Sequence, residues 1–152
     1  MKKIIFITFL IFVNLFGANK IKDDSRLNKI VNYFEYSESN FQKKKIMYEI
    51  VNTGEEDSVE GYKINNENLI LVFENEVLQL IQILKGNEIL GVKIGLSYKE
   101  AQKKLGNASP KKIYLVGDDK PSYLFIQKYK GRKITFLSYS KEIINEITIY
   151  RE

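Results

Sequence analysis

Eight short runs rich in Ile, Val, Leu, Tyr and Phe, four in each half of the chain, constrain the fold most. Turn residues separate them, which is the pattern of strands joined by tight connections. In the first half the runs span 44–52, 59–65, 68–74 and 77–85, with turns near Gly54, Asn65-Asn66 and Asn75. In the second they span 111–117, 122–130, 132–139 and 143–150, with turns at Gly117-Asp118-Asp119, Lys130-Gly131 and Ser140-Lys141. A helix is expected before each set. Ser97 is a good N-cap, and Glu100 three residues on completes a capping box. Ala101 and Leu105 then share a face, and Gly106 stops the helix ahead of Pro110. An earlier helix is expected over about 25–37, where Leu27, Ile30, Val31 and Phe34 recur at helical spacing. The expected class is α+β: short helices packed on antiparallel sheet, as two tandem helix–four-strand units.

The halves also resemble each other in sequence. Residues 44–84 run alongside 111–150 at an offset of about 65–67 positions. Lys44-Lys45-Ile46-Met47-Tyr48 lies over Lys111-Lys112-Ile113-Tyr114, and Tyr62-Lys63 over Tyr129-Lys130. The expected organisation is a leader at 1–18, a first α+β repeat at 19–88 and a second at 89–152. Chance likeness between two Ile- and Lys-rich halves is the competing explanation.

The leader reads as a secretory signal peptide. Lys2 and Lys3 precede an apolar run from Ile4 to Phe16, and Gly17-Ala18 supplies small residues at a cut point. The run is shorter than the roughly 20 residues a spanning helix requires. Cleavage would release an exported bacterial protein, periplasmic or extracellular; retention would leave an N-terminal anchor and the only membrane contact. Removing Lys2 and Lys3 lowers the formal charge from +5 to +3, which does not imply nucleic acid as a partner. The chain has no Cys and no His, which excludes disulfides, Ser-His-Asp and Cys-His catalysis and the usual zinc sites. No cofactor motif is present. A hydrolase working through two carboxylates would need a convergent pair such as Glu100 with Glu146. A non-enzymatic protein is the stronger expectation.

The segment from Ile94-Gly95-Leu96-Ser97-Tyr98-Lys99-Glu100-Ala101 to Leu105-Gly106, followed by hairpins and the strand Ile144–Ile149, has the form G-[LM]-[ST]-x-x-E-[AV]-x-x-x-L-G. It resembles the superfamily of outer-membrane assembly lipoproteins of the BamE (SmpA/OmlA) type and the β-lactamase inhibitor protein. That resemblance implies a short helix pair against an antiparallel sheet, carried twice in tandem in the inhibitor, and, as the alternative to a binding module, a structural or assembly factor of the bacterial cell envelope. The chain departs from both: it lacks the lipidated cysteine of the first and the disulfides of the second.

Alternation sorts the second sheet into two faces. Ile113, Leu115, Leu124, Ile126, Ile134, Phe136, Ile147 and Ile149 are expected to face the helix. The other face would then show Tyr114, Tyr123, Phe125, Tyr129, Tyr139 and Tyr150, with Thr135, Glu146 and Thr148. A tyrosine-rich face suits binding of a protein or envelope component, since the rings bury large areas and keep a polar handle. Ordinary sheet stabilisation, or packing on the first half, would use the same residues. In the first sheet Ile70, Val72, Leu78, Leu80 and Leu84 form a face too apolar to leave in water, so a cover is expected. The lysine runs at 43–45, 103–104, 111–112 and 128–133 read as solvated sheet edges. Glu55-Glu56-Asp57 and Asp118-Asp119 read as acidic turns.

Overall fold

The computed structural model describes residues 24–53 and 59–152; the expected leader and the Glu55-Glu56-Asp57 turn lie outside the described residues. Along the chain run helix α1 (Ser25–Val31), a 3-10 turn (Asn32–Glu35), α2 (Glu38–Gln42) and strands β1 (Glu49–Asn52), β2 (Glu60–Ile64), β3 (Leu69–Glu74) and β4 (Val77–Ile83). A two-residue-per-strand hairpin follows, β5 (Glu88–Ile89) and β6 (Val92–Lys93). Then come α3 (Tyr98–Lys104), β7 (Lys111–Ile113), β8 (Ser122–Tyr129), β9 (Arg132–Ser138) and β10 (Glu146–Arg151).

The eight longer strands form one antiparallel sheet in the order β1-β2-β3-β4-β10-β9-β8-β7. Each half contributes a four-strand meander. The halves meet where β4 pairs with β10, with Ile83 opposite Ile147 and Ile81 opposite Ile149. Two-residue loops set the register of two hairpins. Asn75 and Glu76 (φ 50° and 67°) join β3 to β4, and Lys130 and Gly131 (φ 47° and 70°) join β8 to β9. Positive φ at both loop positions gives the turn whose twist matches that of paired strands.

All described helices pack against one face of this sheet. Leu27, Ile30 and Phe34 from the N-terminal segment, Phe41 from α2, Ala101 from α3 and Leu105 at its end share a single core with the inward strand residues. The sequence of α3 behaves as expected. Ser97 Oγ accepts from the Glu100 amide at 3.3 Å and donates to its carboxylate at 2.9 Å. Gly106 takes φ 72°, so its amide reaches Lys103 O and that of Asn107 reaches Gln102 O. This left-handed stop satisfies carbonyls that the helix end would otherwise leave unpaired.

The expected first helix is shorter and is followed by a second. Asp24 caps α1 by accepting from the amides of Arg26 and Leu27. The chain tightens into the 3-10 turn and restarts at Ser37, whose hydroxyl accepts from Asn40 N. Phe41 is fully buried in α2, within 5.4–5.8 Å of the Tyr48, Tyr62 and Phe73 rings. Tyr62 pins this helix to β2. Its hydroxyl donates to Glu38 at 2.5 Å and accepts from Gln42 at 2.7 Å. Burial, reinforced by the Glu38 bond, pushes Tyr62 up to about 12.

Between Val72 and Phe73 a bulge shifts the β3–β4 register, so Phe73 faces Leu78 while Val72 faces Leu80. One extra residue on β4 reverses the alternation there. Leu78 therefore lies in the core, fully buried, and not with Ile70, Val72 and Leu80 as the alternation suggested.

Gly61 in β2 tests the other face directly. A Cβ there would lie 2.6 Å from Ile70 Cγ2 and 2.9 Å from Thr53 Cγ2. Gly61→Ala is expected to cost about 1–3 kcal/mol in denaturant unfolding, because a β-branched side chain cannot swing away. Combining it with Ile70→Ala should cost less than the sum of the two single changes; additivity would show that the close approach is not the cause.

Candidate binding face

Residues directly opposite on antiparallel strands share a face, so the register assigns each side chain to a side. On the side away from the helices one row crosses six strands: Lys63, Ile70, Gln82, Thr148, Thr135 and Ile126. The next row holds Val72, Leu80, Tyr150, Lys133 and Lys128. On the far side Leu137 faces Glu146 and Leu124, and Leu124 faces Lys111. Val72, Thr135 and Thr148 are under one-tenth exposed yet stand outside the core cluster. Ile70, Leu80, Leu124, Ile126 and Leu137 are half-buried and also stand outside it. Among the described residues this is a broad aliphatic surface over which no helix lies.

The expected sorting of β8 is reversed. Phe125 pairs with Phe136 and is fully buried beneath α3, its ring 5.1 Å from Tyr98. Tyr129 is buried on the same side, and its hydroxyl donates to Asn28 at 2.7 Å. Tyr123 packs edge-on against Tyr98 at 6.0 Å, with the Lys141 ammonium 4.3 Å above its ring. Leu124 and Ile126, expected to face the helix, lie on the open side instead, together with Ile113 of β7. The cause is the Lys130-Gly131 turn. It makes Tyr129 face Arg132, and counting back places Phe125 opposite Phe136. Because β8 is apolar on both sides, alternation alone does not decide its orientation, whereas the two-residue turn does.

Of the six aromatic residues singled out, Tyr150 alone is a strand residue on the open face. It is half-buried, with the Lys133 ammonium 5.0 Å from its ring. Tyr139, 42% exposed just beyond β9, donates to the Glu146 carboxylate. Tyr114, 63% exposed, follows β7 and has Lys112 beside its ring. The six do not form one patch.

Charge divides this surface. Among the described residues, those up to 88 carry 9 Asp and Glu against 7 Lys and Arg, a formal −2, and those from 89 to 152 carry 6 against 13, a formal +7. Since the first half supplies β1–β4 and the second β7–β10, the sheet is acidic at one side and basic at the other. Glu49 and Glu74 share the open face on the acidic side, with Lys63 held 3.6 Å from Glu49. Lys111, Lys128 and Lys133 stand on the basic side. Glu100 bonds Ser97 on the helical side while Glu146 faces the opposite way, so these carboxylates form no convergent pair. Among the described residues no cluster of acidic side chains is arranged to hold a metal ion, and no helix is long and apolar enough to cross a membrane.

No family model matches the chain, and no curated protein sequence matches it. Among solved structures, a cysteine-rich secretory protein from Staphylococcus aureus aligns at 14% identity with a TM-score of 0.38. The alignment covers 82% of this chain and 43% of that one, so the chain spans less than half the length of its structural neighbour. A TM-score of that size carries neither fold nor function across.

Burial raises the Glu146 carboxyl above its usual range. An acid raised in the fold favours the folded state when protonated. Its contribution is therefore present at low pH and lost as pH climbs through the ordinary glutamate range. Glu146→Gln should melt higher than the native protein at pH 7, with the gap closing below about pH 4. A gap independent of pH would show that ionisation at this position does not matter.

Proposed function

We propose that this chain is an exported, non-enzymatic binding module that engages a protein or a component of the bacterial cell envelope through the open face of its sheet. The single observation that carries this reading is the aliphatic surface formed by Ile70, Val72, Leu80, Leu124, Ile126 and Leu137, over which no described helix lies. Val72 is buried and the other five are part-exposed, and apolar side chains left partly in water side by side mark interaction sites. The contact residues are accordingly these aliphatic side chains with Tyr150, bordered by Tyr139 and Tyr114, rather than a tyrosine array. Export rests on the leader-like first 18 residues.

The tandem arrangement and the likeness to the BamE and β-lactamase-inhibitor superfamily belong to the same proposal. Two matching ties support duplication. The Ser37 hydroxyl caps α2 while Glu38 N donates to Glu76 O beside the β3–β4 turn; the Ser97 hydroxyl caps α3 while Tyr98 N donates to Glu142 O ahead of β10. Isolated bridges, Ser37 with Val77 and Ser97 with Ile143, accompany them. The sequences at these ties also agree at an offset of 60, with Ser37, Gln42 and Lys43 over Ser97, Gln102 and Lys103.

A photo-crosslinking residue at position 126, introduced in the native host, tests the binding reading. Capture of a defined species is expected. It should fall at least tenfold when Leu124→Glu is added, about the loss of one well-buried apolar contact, and stay unchanged with Tyr114→Ala. Capture no greater than from a crosslinker on the outer surface of α3 would refute it.

A further inference from the structure

We propose that the partner on the open face is a second copy of this chain, in a face-to-face pair whose two-fold axis runs along the strands between β4 and β10. The inference rests on reading the open face as a binding surface and adds the identity of its occupant.

Charge selects both the occupant and the axis. A rotation about a line parallel to the strands at the middle of the sheet lays β1–β4 of one copy over β7–β10 of the other. The half whose described residues sum to −2 then covers the half that sums to +7, twice over. Glu49 and Glu74 come over the region of Lys111, Lys128 and Lys133. An axis across the strands would instead set acidic on acidic and basic on basic. Joining two β1 edges would likewise bring acidic halves together.

The same rotation lays Leu80 on Tyr150 and Ile70 on Thr135 next to the axis, and the methylene stems of Lys133 and Lys63 over Val72 and Ile126. Gln82 and Thr148 adjoin the axis and meet across it. Two sheets stacked about 10 Å apart with aligned strands form an ordinary sandwich core. The assembly is closed, since the two-fold axis uses the open face of each copy once. Glu146 lies near the axis and Glu152 stays with Lys128 at 3.0 Å, so neither opposes the arrangement with an unpaired like charge at its rim.

Sedimentation equilibrium on the protein purified from an exporting host tests the proposal. A dimer is expected, weakened at least tenfold by Leu124→Glu and weakened by added salt. Two charge variants sharpen the test: Lys111, Lys128 and Lys133 all changed to Glu in one, Glu49 and Glu74 both changed to Lys in the other. Each alone should dimerise poorly, and their mixture should form a heterodimer, because acidic and basic faces are then matched again. Far-ultraviolet circular dichroism melts on each variant separate lost association from lost folding. A native protein that stays monomeric at every concentration overturns the proposal, as does a dimer indifferent to Leu124→Glu. If the native protein is monomeric while Leu124→Glu still abolishes envelope capture, self-association is overturned and the binding-module reading stands. If the dimer forms and capture identifies only this chain, the pair stands and the foreign partner falls.

Discussion

The pairing of β4 with β10 is the contact on which the rest of the molecule depends. Neither four-strand meander has enough helix of its own to cover it. Joined through Ile81, Ile83, Ile147 and Ile149, they make one surface wide enough for all the described helical segments to share a single core. The N-terminal segment confirms the sharing. Its Phe34 ring lies 4.7 Å from the Arg132 guanidinium and 5.6 Å from that of Arg151, both contributed by the second half. Arg151 also donates to the carbonyls of Leu78 and Phe34, tying β10 to β4 and to the 3-10 turn. The core is therefore built across the seam and does not divide into two.

A sheet covered on one side leaves its other side to be explained. Small and hydroxyl-bearing residues at its centre, Thr135 and Thr148 above all, close the surface to water through their neighbours, and Thr135 donates to the Thr148 carbonyl. Around them the side chains are aliphatic and only half-buried. A surface meant solely for solvent would alternate apolar-in with polar-out. The polarity that does appear is organised by half and not by strand, and the proposed pair rests on that division.

Much of the architecture was legible because local signals agreed. Ser97, Glu100 and Gly106 each adopt the role their chemistry favours, and all eight strand runs contain a strand. The failures share a cause. Where a segment was apolar on both sides, as in β8, alternation could not choose a face; the two-residue turn at Lys130-Gly131 held the answer in its count. In β4 a bulge placed Leu78 and Leu80 on opposite sides of the reading that alternation suggested for both. The helix α2 was hidden because Ser, Asn and Gln dominate it and Phe41 is its only large apolar residue. Its match to the α3 segment was the available clue. The open face could be seen as needing a cover in the first half, but its continuation through Leu124 and Ile126 could not be read until β8 was turned over.

Which residues face outward from the sheet decides whether the open face can bind anything. Methyl relaxation by a soluble paramagnetic probe measures this in solution, at dilute protein concentration. Strong relaxation is predicted at the Ile70, Leu80, Leu124 and Ile126 methyls, with Ile134, Ile147 and Ile149 shielded. Shielding of Leu124 and Ile126 at infinite dilution, or strong relaxation at Ile134 and Ile149, would contradict the assignment of faces and the binding surface built on it.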